Sequence, residues 1–366
     1  MTGAKKIKVL AAMSGGVDSS VAAALLLEQG FEVTGIFMCQ QKQAPESAGA
    51  RSCCSPADAE DARRVAQALG IELIIFPTSA FFNKIIDYFA AEYARGRTPN
   101  PCVHCNAYIK FGQMFHLADS MKIDYIATGH YARIIEKDGI AAIARARNRK
   151  KDQSYNLFGI GMERLRHIML PLGDMEDKEA VRETARRMGL KVHDKPDSQE
   201  ICFAPEGDYA SIIRARVPEA FRPGMMIAQD GAVLGKHEGI VNFTIGQRRR
   251  LGVSAGKPLY VIHIDAATST VVLGEKKDLI CRYLRADKAN WHRPNIPEKF
   301  EATVQIRSNH RGAKSIVRLL GRQRFEADFF EPVEAVAPGQ AAVVYDGDTL
   351  IGGGWIENPP RKDWKI

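Results

Sequence analysis

The first half of the chain alternates strand-like and helix-like segments, and this alternation constrains the fold more than any other feature. The strand pattern "IKVLAAM" (residues 7–13) leads through a glycine- and serine-rich loop into "SSVAAALLLEQG", which ends at Gly30 as a helix C-cap. The strand pattern "FEVTGIFM" precedes a helix pattern that begins after Ser55 and ends at Gly70. Because such alternation is typical of parallel sheets covered by helices on both faces, we predict an α/β domain with ligands at the carboxyl ends of its strands.

The second half of the chain has a different pattern. From about residue 210 onward, short alternating segments separated by turn residues predict a largely β structure. Residues 284–300 contain two prolines and show no periodicity. We interpret that segment as a separation between a small middle domain and a C-terminal barrel or sandwich.

The loop "MSGGVDSS" (residues 13–20) carries the strongest local signal for chemistry. Gly15 and Gly16 allow close approach of a ligand to the backbone, and the following helix N-terminus and the serine hydroxyls suit a phosphate. The pattern GxxxxGK[ST] is absent, so the loop is not a Walker A motif. SGGxDS instead resembles the pyrophosphate loop of the ATP pyrophosphatases, which split ATP between the α and β phosphates to adenylate a substrate. The alternative is a tight turn that needs glycines for steric reasons.

The cysteine content predicts a reducing environment. The chain has seven cysteines, an odd number, and its N-terminus lacks the apolar core of a secretory signal. No apolar run approaches the roughly 20 residues that span a bilayer. We therefore expect a cytoplasmic protein that is not inserted in a membrane and whose thiols are mostly reduced.

Cys102 and Cys105 lie two residues apart in "TPNPCVHCN", and Cys202 lies in the polar segment "DSQEICF". We expect a helix to begin at about residue 105, where its N-terminus would favour the thiolate of Cys105. Structural zinc is disfavoured because a second pair of ligands is missing. Three alternatives stay open for these thiols: a disulfide switch, a catalytic relay, and a 4Fe–4S cluster held by all three cysteines with one open iron.

The formal charge of +8 favours an anionic partner. The run "RARNRKKDQ" (residues 145–153) is the densest basic stretch, and by itself it is typical of a solvated hairpin edge. An adenylated substrate needs a nucleophile to displace AMP, and ammonia or sulfur would serve. No glutaminase domain can be placed on the chain, which disfavours an ammonia-using synthetase. A non-catalytic RNA-binding module is the other alternative.

Seven motifs occur in a fixed order: "MSGGVDSS", "GRTPNPCVHCN", "ATGHYAR", "KDQSYNLF", "DSQEICF", "TIGQRRRLG" and "PGQAAVVYDGDTLIGGGWI". With them the chain resembles the tRNA-specific 2-thiouridylases from end to end. The resemblance implies ATP-dependent thiolation at C2 of the wobble uridine in tRNAs for Lys, Glu and Gln, giving 2-thiouridine, AMP and pyrophosphate. It implies an adenine nucleotide α-hydrolase-like domain (1–205), a small central domain (206–283) and a C-terminal β-barrel that contacts tRNA (284–366).

The resemblance also assigns site residues. Cys105 corresponds to the nucleophile, and Cys202 to the cysteine that carries the persulfide and alternately forms a disulfide with Cys105. The ATP-binding positions correspond to Ala12, Met13, Ser14, Gly15, Gly16, Val17, Asp18, Ser19, Met38 and Gly129. The tRNA-binding positions correspond to Asn100, Pro101, Cys102, His130, Lys151, Asp152, Gln153, Arg307, Ser308 and Gln340.

Cys102 departs from the family pattern, because many members carry Asp at this position. A cysteine offers a thiol that can resolve a disulfide, accept sulfur or ligate iron, so the role of an Asp does not transfer to it. The resemblance further implies Mg²⁺ with the ATP. The partner that supplies persulfide sulfur would be a cysteine desulfurase or a relay protein.

Overall fold

The computed structural model describes residues 6–39, 56–195, 201–204, 208–253 and 256–359. The chain forms two compact units. The first comprises residues 1–84, 102–207 and 348–351, and the second comprises residues 85–101, 208–347 and 352–366. The domain boundaries expected at 205 and 283 stay a prediction.

A parallel sheet forms the centre of the first unit. Its five strands are β1 (Lys8–Ala12), β2 (Glu32–Cys39), β3 (Leu73–Pro77), β4 (Tyr125–Ala127) and β7 (Ile168–Met169). The spatial order is β3-β2-β1-β4-β7, and every neighbouring pair is parallel. The predicted α/β domain is confirmed, and the order places the ends of β2, β1 and β4 side by side.

The helices that begin in or pass through the first unit are α1 (Val17–Glu28), α2 (Pro56–Leu69), α3 (Ser79–Ala94), α4 (Pro101–His104), a π-helical segment (Cys105–Phe111), α5 (Gly112–Met121) and α6 (Lys178–Arg187). Helix α1 is buried around most of its circumference, because the alanines at 22–24 let it pack closely. Its apolar side chains join two clusters, one with Phe37 of β2 and Val181 of α6, the other with Val9 of β1. This packing fixes the start of α1 against the sheet.

The helix expected from about residue 105 begins earlier. Pro101 opens it, and helical geometry continues through the π-helical segment into α5. Proline is favoured at a first helical position because its missing N–H would have no partner there and its φ is already helical. The expectation that Cys105 occupies the helix N-terminus was therefore wrong, and Cys102 lies in the first turn instead.

A two-stranded hairpin completes the first unit. Strands β5 (Ala132–Lys137) and β6 (Ile140–Arg145) are antiparallel, and Asp138 and Gly139 both have positive φ in the turn between them. Positive φ at both central residues is typical of the type I′ turns that match strand twist. Thr349 pairs with Ala144 on β6.

The second unit is mostly β. It holds α7 (Tyr209–Arg216) and a four-stranded sheet of β8 (Gly224–Ala228), β9 (Val233–His237), β10 (Tyr260–Asp265) and β11 (Thr270–Gly274), in the order β10-β11-β8-β9. Six further strands form an antiparallel barrel: β12 (Ile280–Trp291), β13 (Lys299–Gln305), β14 (Ala313–Leu319), β15 (Phe325–Glu334), β16 (Ala341–Asp346) and β17 (Thr349–Ile356). Pairing of β12 with β17 closes the order β12-β15-β14-β13-β16-β17, so the predicted C-terminal barrel is confirmed.

Short 3₁₀ helices connect these elements at Ser154–Leu157, Met162–His167, Pro218–Ala220, Ile240–Asn242 and Lys276–Leu279. Within the described ranges, no helix is both long enough and apolar enough to cross a membrane.

Candidate active site

The pyrophosphate loop (residues 13–20) connects β1 to α1. Gly15 has a φ of 71°, and a Cβ there would lie 2.2 Å from the backbone oxygen of Asp58. Gly16 is the N-cap of α1 and has no side chain to satisfy the first N–H groups of the helix. Those N–H groups and the helix dipole favour an anion, so the predicted phosphate cradle has the required local geometry.

Hydrogen bonds within the loop, made by its serine hydroxyls, stabilise its conformation. The Ser14 backbone N–H donates to Oγ of Ser19 at 3.0 Å, and the two hydroxyls lie 3.1 Å apart. The hydroxyls of Ser19 and Ser20 donate to the Gly16 carbonyl at 3.1 and 2.9 Å. Ser20 is fully buried whereas Ser14 is exposed, so Ser20 serves the fold and Ser14 can reach a ligand.

Asp18, in the first turn of α1, is held by two partners from distant parts of the chain. Nζ of Lys178, at the start of α6, lies 2.8 Å from both carboxylate oxygens. The Tyr131 hydroxyl donates to Oδ1 at 2.7 Å. Charge-assisted bonds of this kind are among the stronger ones, so the orientation of Asp18 is fixed without a ligand.

Lys195 holds the other side of the loop. Its ammonium donates to the Gly15 carbonyl at 3.0 Å, to Oδ1 of Asp58 at 2.6 Å and to Oδ2 of Asp61 at 2.7 Å. Burial lowers the pKa of Lys195, but the hydrogen bonds to the two carboxylates outweigh burial and raise the pKa above its ordinary value. The charged lysine thus joins the pyrophosphate loop to the beginning of α2.

The other two predicted ATP positions lie at the ends of the two strands that flank β1. Met38 is half-buried near the end of β2, and Gly129 follows β4. A Cβ at Gly129 would lie 2.8 Å from the carbonyl carbon of Asp18 and from the nitrogen of Ser19. The absence of a side chain at Gly129 therefore lets the chain pass directly against the start of α1, which keeps these positions together.

Cys102 and Cys105 lie on one helical stretch, the thiol segment (residues 102–111). Cys102 is exposed and Cys105 is half-buried at the first residue of the π-helical turns. The N–H of Gly112 donates to the Ala107 carbonyl five residues earlier, the bond that defines π geometry. Such turns are costly and occur often at functional sites.

Asn106 is buried beside Cys105 and is 3% exposed. Its amide nitrogen donates to the Asn156 carbonyl at 3.1 Å. Its amide oxygen has no hydrogen-bond partner in the part of the chain that the structure describes. A buried acceptor without a partner costs free energy, so this oxygen is a local cost within the thiol segment.

Cys202 lies in the described stretch 201–204 and is half-buried. Its neighbour Phe203 packs edge-on against Phe82, with ring centroids 5.7 Å apart. The structure places Cys102, Cys105, Cys202 and the pyrophosphate loop in the same unit.

The iron–sulfur alternative gains no support from the structure. Across the described residues, no group of three or more His, Cys, Asp or Glu is arranged to hold a metal ion. A cluster with Cys102, Cys105 and Cys202 as ligands would need all three thiols to converge on one cluster. We therefore do not retain that alternative.

Two of the predicted tRNA-binding residues in the first unit are engaged within the fold. The Asp152 carboxylate accepts from Arg145 and Ser154, each at 3.0 Å or less, and its side chain is 6% exposed. Gln153 exchanges two hydrogen bonds with Tyr131. Lys151 is half-buried in the turn beside them.

His130, another predicted tRNA-binding residue of the first unit, follows β4. Its Nδ1 lies 2.8 Å from the Thr128 hydroxyl, and its ring stacks near Phe111. Burial and the nearby charge of Lys110 lower the pKa of His130 to about 3. The imidazole is therefore neutral at neutral pH and is a hydrogen-bonding group rather than a cation.

The remaining predicted tRNA-binding residues, apart from Cys102, belong to the second unit. Arg307 is half-buried and donates to the Glu334 carbonyl, and Ser308 is exposed. Gln340 donates to the carbonyls of Thr98 and Pro99, both at 3.1 Å. Those two residues precede Asn100 and Pro101, which are buried. Gln340 thus braces the chain that leads into the thiol segment.

The basic run at 145–151 is only partly available to a partner. Arg145 is paired with Asp152, Arg147 with Glu176, and Arg149 with Asp348. Arg147 and Arg149 nevertheless remain exposed, as does Lys150. The exposed side chains suit contacts with phosphates, whereas Arg145 is structural.

Sequence reasoning missed the residues that support the pyrophosphate loop. Lys178 and Lys195 contact it from 160 and 180 residues away, and Tyr131 from 113 residues away. Lys195 immediately precedes the "PDSQEICF" segment. The motif does not indicate that this lysine contacts the pyrophosphate loop. No periodicity within a segment could pair these positions.

Models of known protein families match three successive parts of the chain. Three family models match in succession: a tRNA methyl transferase HUP domain at residues 7–206, a tRNA methyl transferase PRC-barrel domain at 211–275 and an aminomethyltransferase beta-barrel domain at 281–356. The first model alone covers more than half of the chain. The chain is thus a HUP-domain protein with two β domains.

Relatives then specify the family. The tRNA-specific 2-thiouridylase MnmA of Carboxydothermus hydrogenoformans is 48% identical over 96% of this chain and 97% of its own length. Those of Clostridium acetobutylicum and Rhodopirellula baltica are 43% and 44% identical, over 96% and 95% of this chain and 99% and 96% of their own. The chain belongs to the tRNA-specific 2-thiouridylase family.

Proposed function

We propose that the chain is an ATP-dependent tRNA-uridine 2-sulfurtransferase that converts C2 of the wobble uridine in tRNAs for Lys, Glu and Gln to a thiocarbonyl. The observation that carries this proposal is the preformed pyrophosphate loop in the same unit as Cys105 and Cys202. Membership of the 2-thiouridylase family supports the substrate class.

ATP activates the base in the first step. Its phosphates bind along Ser14–Ser19, its adenine lies near Met38 and Gly129, and uracil O2 attacks the α phosphate to release pyrophosphate. Mg²⁺ bound with the ATP would neutralise phosphate charge, and this ion needs few protein ligands. Asp18 is the acidic side chain in the first turn of α1, and Lys178 would have to release one of its oxygens for it to hold the ion. The product of this step is a uridine adenylated at O2, with AMP as the leaving group.

Sulfur transfer follows. The terminal sulfur of a persulfide on Cys202 attacks C2, either while attached or as hydrosulfide, and the C2–O bond to AMP breaks. The Cys105 thiolate attacks Sγ of Cys202 and breaks the S–S bond, leaving a Cys105–Cys202 disulfide and 2-thiouridine. A thiol reductant then restores both cysteines, and a cysteine desulfurase or a relay protein supplies the next persulfide.

The proposed tRNA contacts fall into two sets. Asn100, Pro101 and Cys102 would contact the target base, while His130, Lys151, Asp152, Gln153, Arg307, Ser308 and Gln340 would contact or support the rest of the tRNA. The buried contacts of Asp152, Gln153 and Gln340 favour supporting roles, in which each holds a neighbouring segment in place.

Nucleoside mass spectrometry of tRNA incubated with the protein, ATP and a persulfide donor tests the proposal. We expect 2-thiouridine from the native chain and none from Cys202→Ser or Cys105→Ser, with ATP-dependent pyrophosphate release retained in both variants. Cys281→Ser is the matched control, because Cys281 is also half-buried but lies in the barrel, where its thiol contacts the Tyr283 carbonyl. Thiolation by Cys202→Ser would contradict the persulfide role.

The rival functions give different results. A non-catalytic RNA-binding module would release no pyrophosphate in the presence of ATP and tRNA. An ammonia-using synthetase would release it with ammonia and leave tRNA unthiolated. Cys102→Asp introduces the residue of many relatives, and we expect it to keep thiolation, which would show that Cys102 is not an obligatory sulfur carrier.

A further inference from the structure

Two aromatic side chains are strongly exposed in the described parts of the chain. Tyr108 is 63% exposed and Phe330 is 46% exposed, whereas Tyr131, Tyr155 and Tyr345 are fully buried. An exposed ring forgoes the hydrophobic stabilisation that burial would supply. Tyr108 lies on the thiol segment, three residues after Cys105.

Tyr108 is already part of a stack. The ring of His104 lies nearly parallel to it, at an angle of 20° with centroids 5.5 Å apart. His104 is half-buried and contributes one side of the stack, while most of the tyrosine remains exposed. A pair of this kind presents a flat, rigid surface at low cost in side-chain entropy.

The position of the pair suits one kind of occupant. Tyr108 and Cys105 lie on the same π-helical segment, less than one turn apart. The base that accepts sulfur at this pair of cysteines must leave its own stack, and its neighbours in a single-stranded loop then expose their faces. Lys110, on the same segment, adds a positive charge that already influences His130. Aromatic faces beside basic groups are the usual means of binding unpaired nucleotides.

We propose that His104 and Tyr108 form a stacking platform for an unpaired nucleotide next to the target uridine in the RNA substrate. This inference rests on the proposed function, because it takes the RNA partner from it. The platform is not among the residues assigned from the family motifs, and its chemistry would accept any base, since every base has a π face.

The test compares side chains that differ in the ring. Tyr108→Leu keeps apolar area but removes the π face, and Tyr108→Phe keeps the ring. We expect Tyr108→Leu to weaken binding of the tRNA substrate about tenfold and Tyr108→Phe to stay within about twofold of the native chain. Phe330→Ala is the matched control for loss of an exposed ring elsewhere, and its affinity should equal that of the native chain.

A fluorescent base gives a direct readout of stacking. With 2-aminopurine placed on either side of the target uridine, the native chain and Tyr108→Phe should quench its fluorescence at one of the two positions, and Tyr108→Leu should not. Equal affinity and equal quenching in Tyr108→Leu would overturn the platform. Weakening by Tyr108→Phe as large as that by Tyr108→Leu would also overturn it, because the hydroxyl and not the ring would then be the contact.

These measurements need no ATP and no sulfur donor, so they are independent of catalysis. If no 2-thiouridine forms but the ring-dependent quenching persists, the proposed reaction fails and the platform stands. If thiolation proceeds while Tyr108→Leu quenches normally, the reaction stands and the platform fails.

Discussion

The pyrophosphate loop and the thiol segment lie in the same unit but are built in opposite ways. Residues around the loop come from α2, α6 and the segment at 195, and they hold it through buried or half-buried charged contacts. The thiol segment carries an exposed cysteine, an exposed tyrosine and a buried amide oxygen without a partner in the described chain.

The difference corresponds to what each region must do. Binding a phosphate chain benefits from donors that are fixed in advance, because no free energy is then spent on ordering them when ATP arrives. Sulfur transfer instead requires thiols that an incoming sulfur can reach, and neither Cys102 nor Cys105 is fully buried. Perturbing the loop should therefore cost more than perturbing the thiol segment.

The largest effect is expected from Gly15→Ala. The new Cβ would occupy a left-handed conformation and lie 2.2 Å from the Asp58 carbonyl. We expect the free energy of unfolding to fall by about 3 kcal/mol and ATP-dependent pyrophosphate release to be lost. Gly30 also has a positive φ, 87°, but a Cβ added there would have no atom within 4 Å. Gly30→Ala therefore measures the cost of the left-handed backbone alone, and it should lower the free energy of unfolding by about 1 kcal/mol. Equal losses in urea denaturation would show that the close approach is unimportant.

Lys195→Met comes next. It removes the donor to Gly15 and the ammonium that bridges the carboxylates of Asp58 and Asp61. We expect a loss of about 2 kcal/mol in stability and a raised KM for ATP, with partial recovery in Lys195→Arg. Lys257→Met breaks an exposed pair with Glu275 and should leave both quantities unchanged. A native KM for ATP in Lys195→Met would remove this lysine from the support of the loop.

Asn106→Ala tests the thiol segment. The change removes one hydrogen bond to Asn156 but also removes the buried oxygen that has no partner in the described residues. Because the two effects oppose each other, we expect a loss of about 1 kcal/mol or less in stability. A loss as large as that of Gly15→Ala would show that the two regions are equally constrained.

At pH 7 the smallest effect is expected from His130→Gln, and its effect depends on pH. Because the pKa of His130 is lowered from 6.5 to about 3, the unfolded chain binds an additional proton between these values. The stabilisation is present above pH 6.5 and is lost as the pH falls toward 3. We expect the difference in unfolding free energy between pH 7 and pH 5 to be smaller in His130→Gln than in the native chain. Burial and Arg307 lower the pKa of His310 to about 4, so His310→Gln gives the same comparison in the second unit.

Much of the fold could be predicted from sequence, and the reasons are local. Strand and helix periodicities gave the parallel sheet, and turn residues and short alternating runs gave the β-rich second half. The start of the helix at Pro101 was missed because "TPNP" suggests an extended loop, while a proline at the first helical position looks the same in sequence. The π-helical turns at Cys105–Phe111 were also missed, because no residue pattern encodes a single wider turn.

For the candidate site, the sequence by itself determined the kinds of groups present: a glycine-rich loop at a strand end, two nearby cysteines and a third one hundred residues later. Only the tertiary structure decided which distant side chains contact these groups and fix their positions. Lys178, Lys195 and Tyr131 reach the loop, and Gln340 reaches the backbone before Asn100, across more than 100 residues in each case. The physical reason is that such contacts depend on how whole elements pack, whereas a loop's glycines and a strand's alternation are dictated by the backbone of the segment itself.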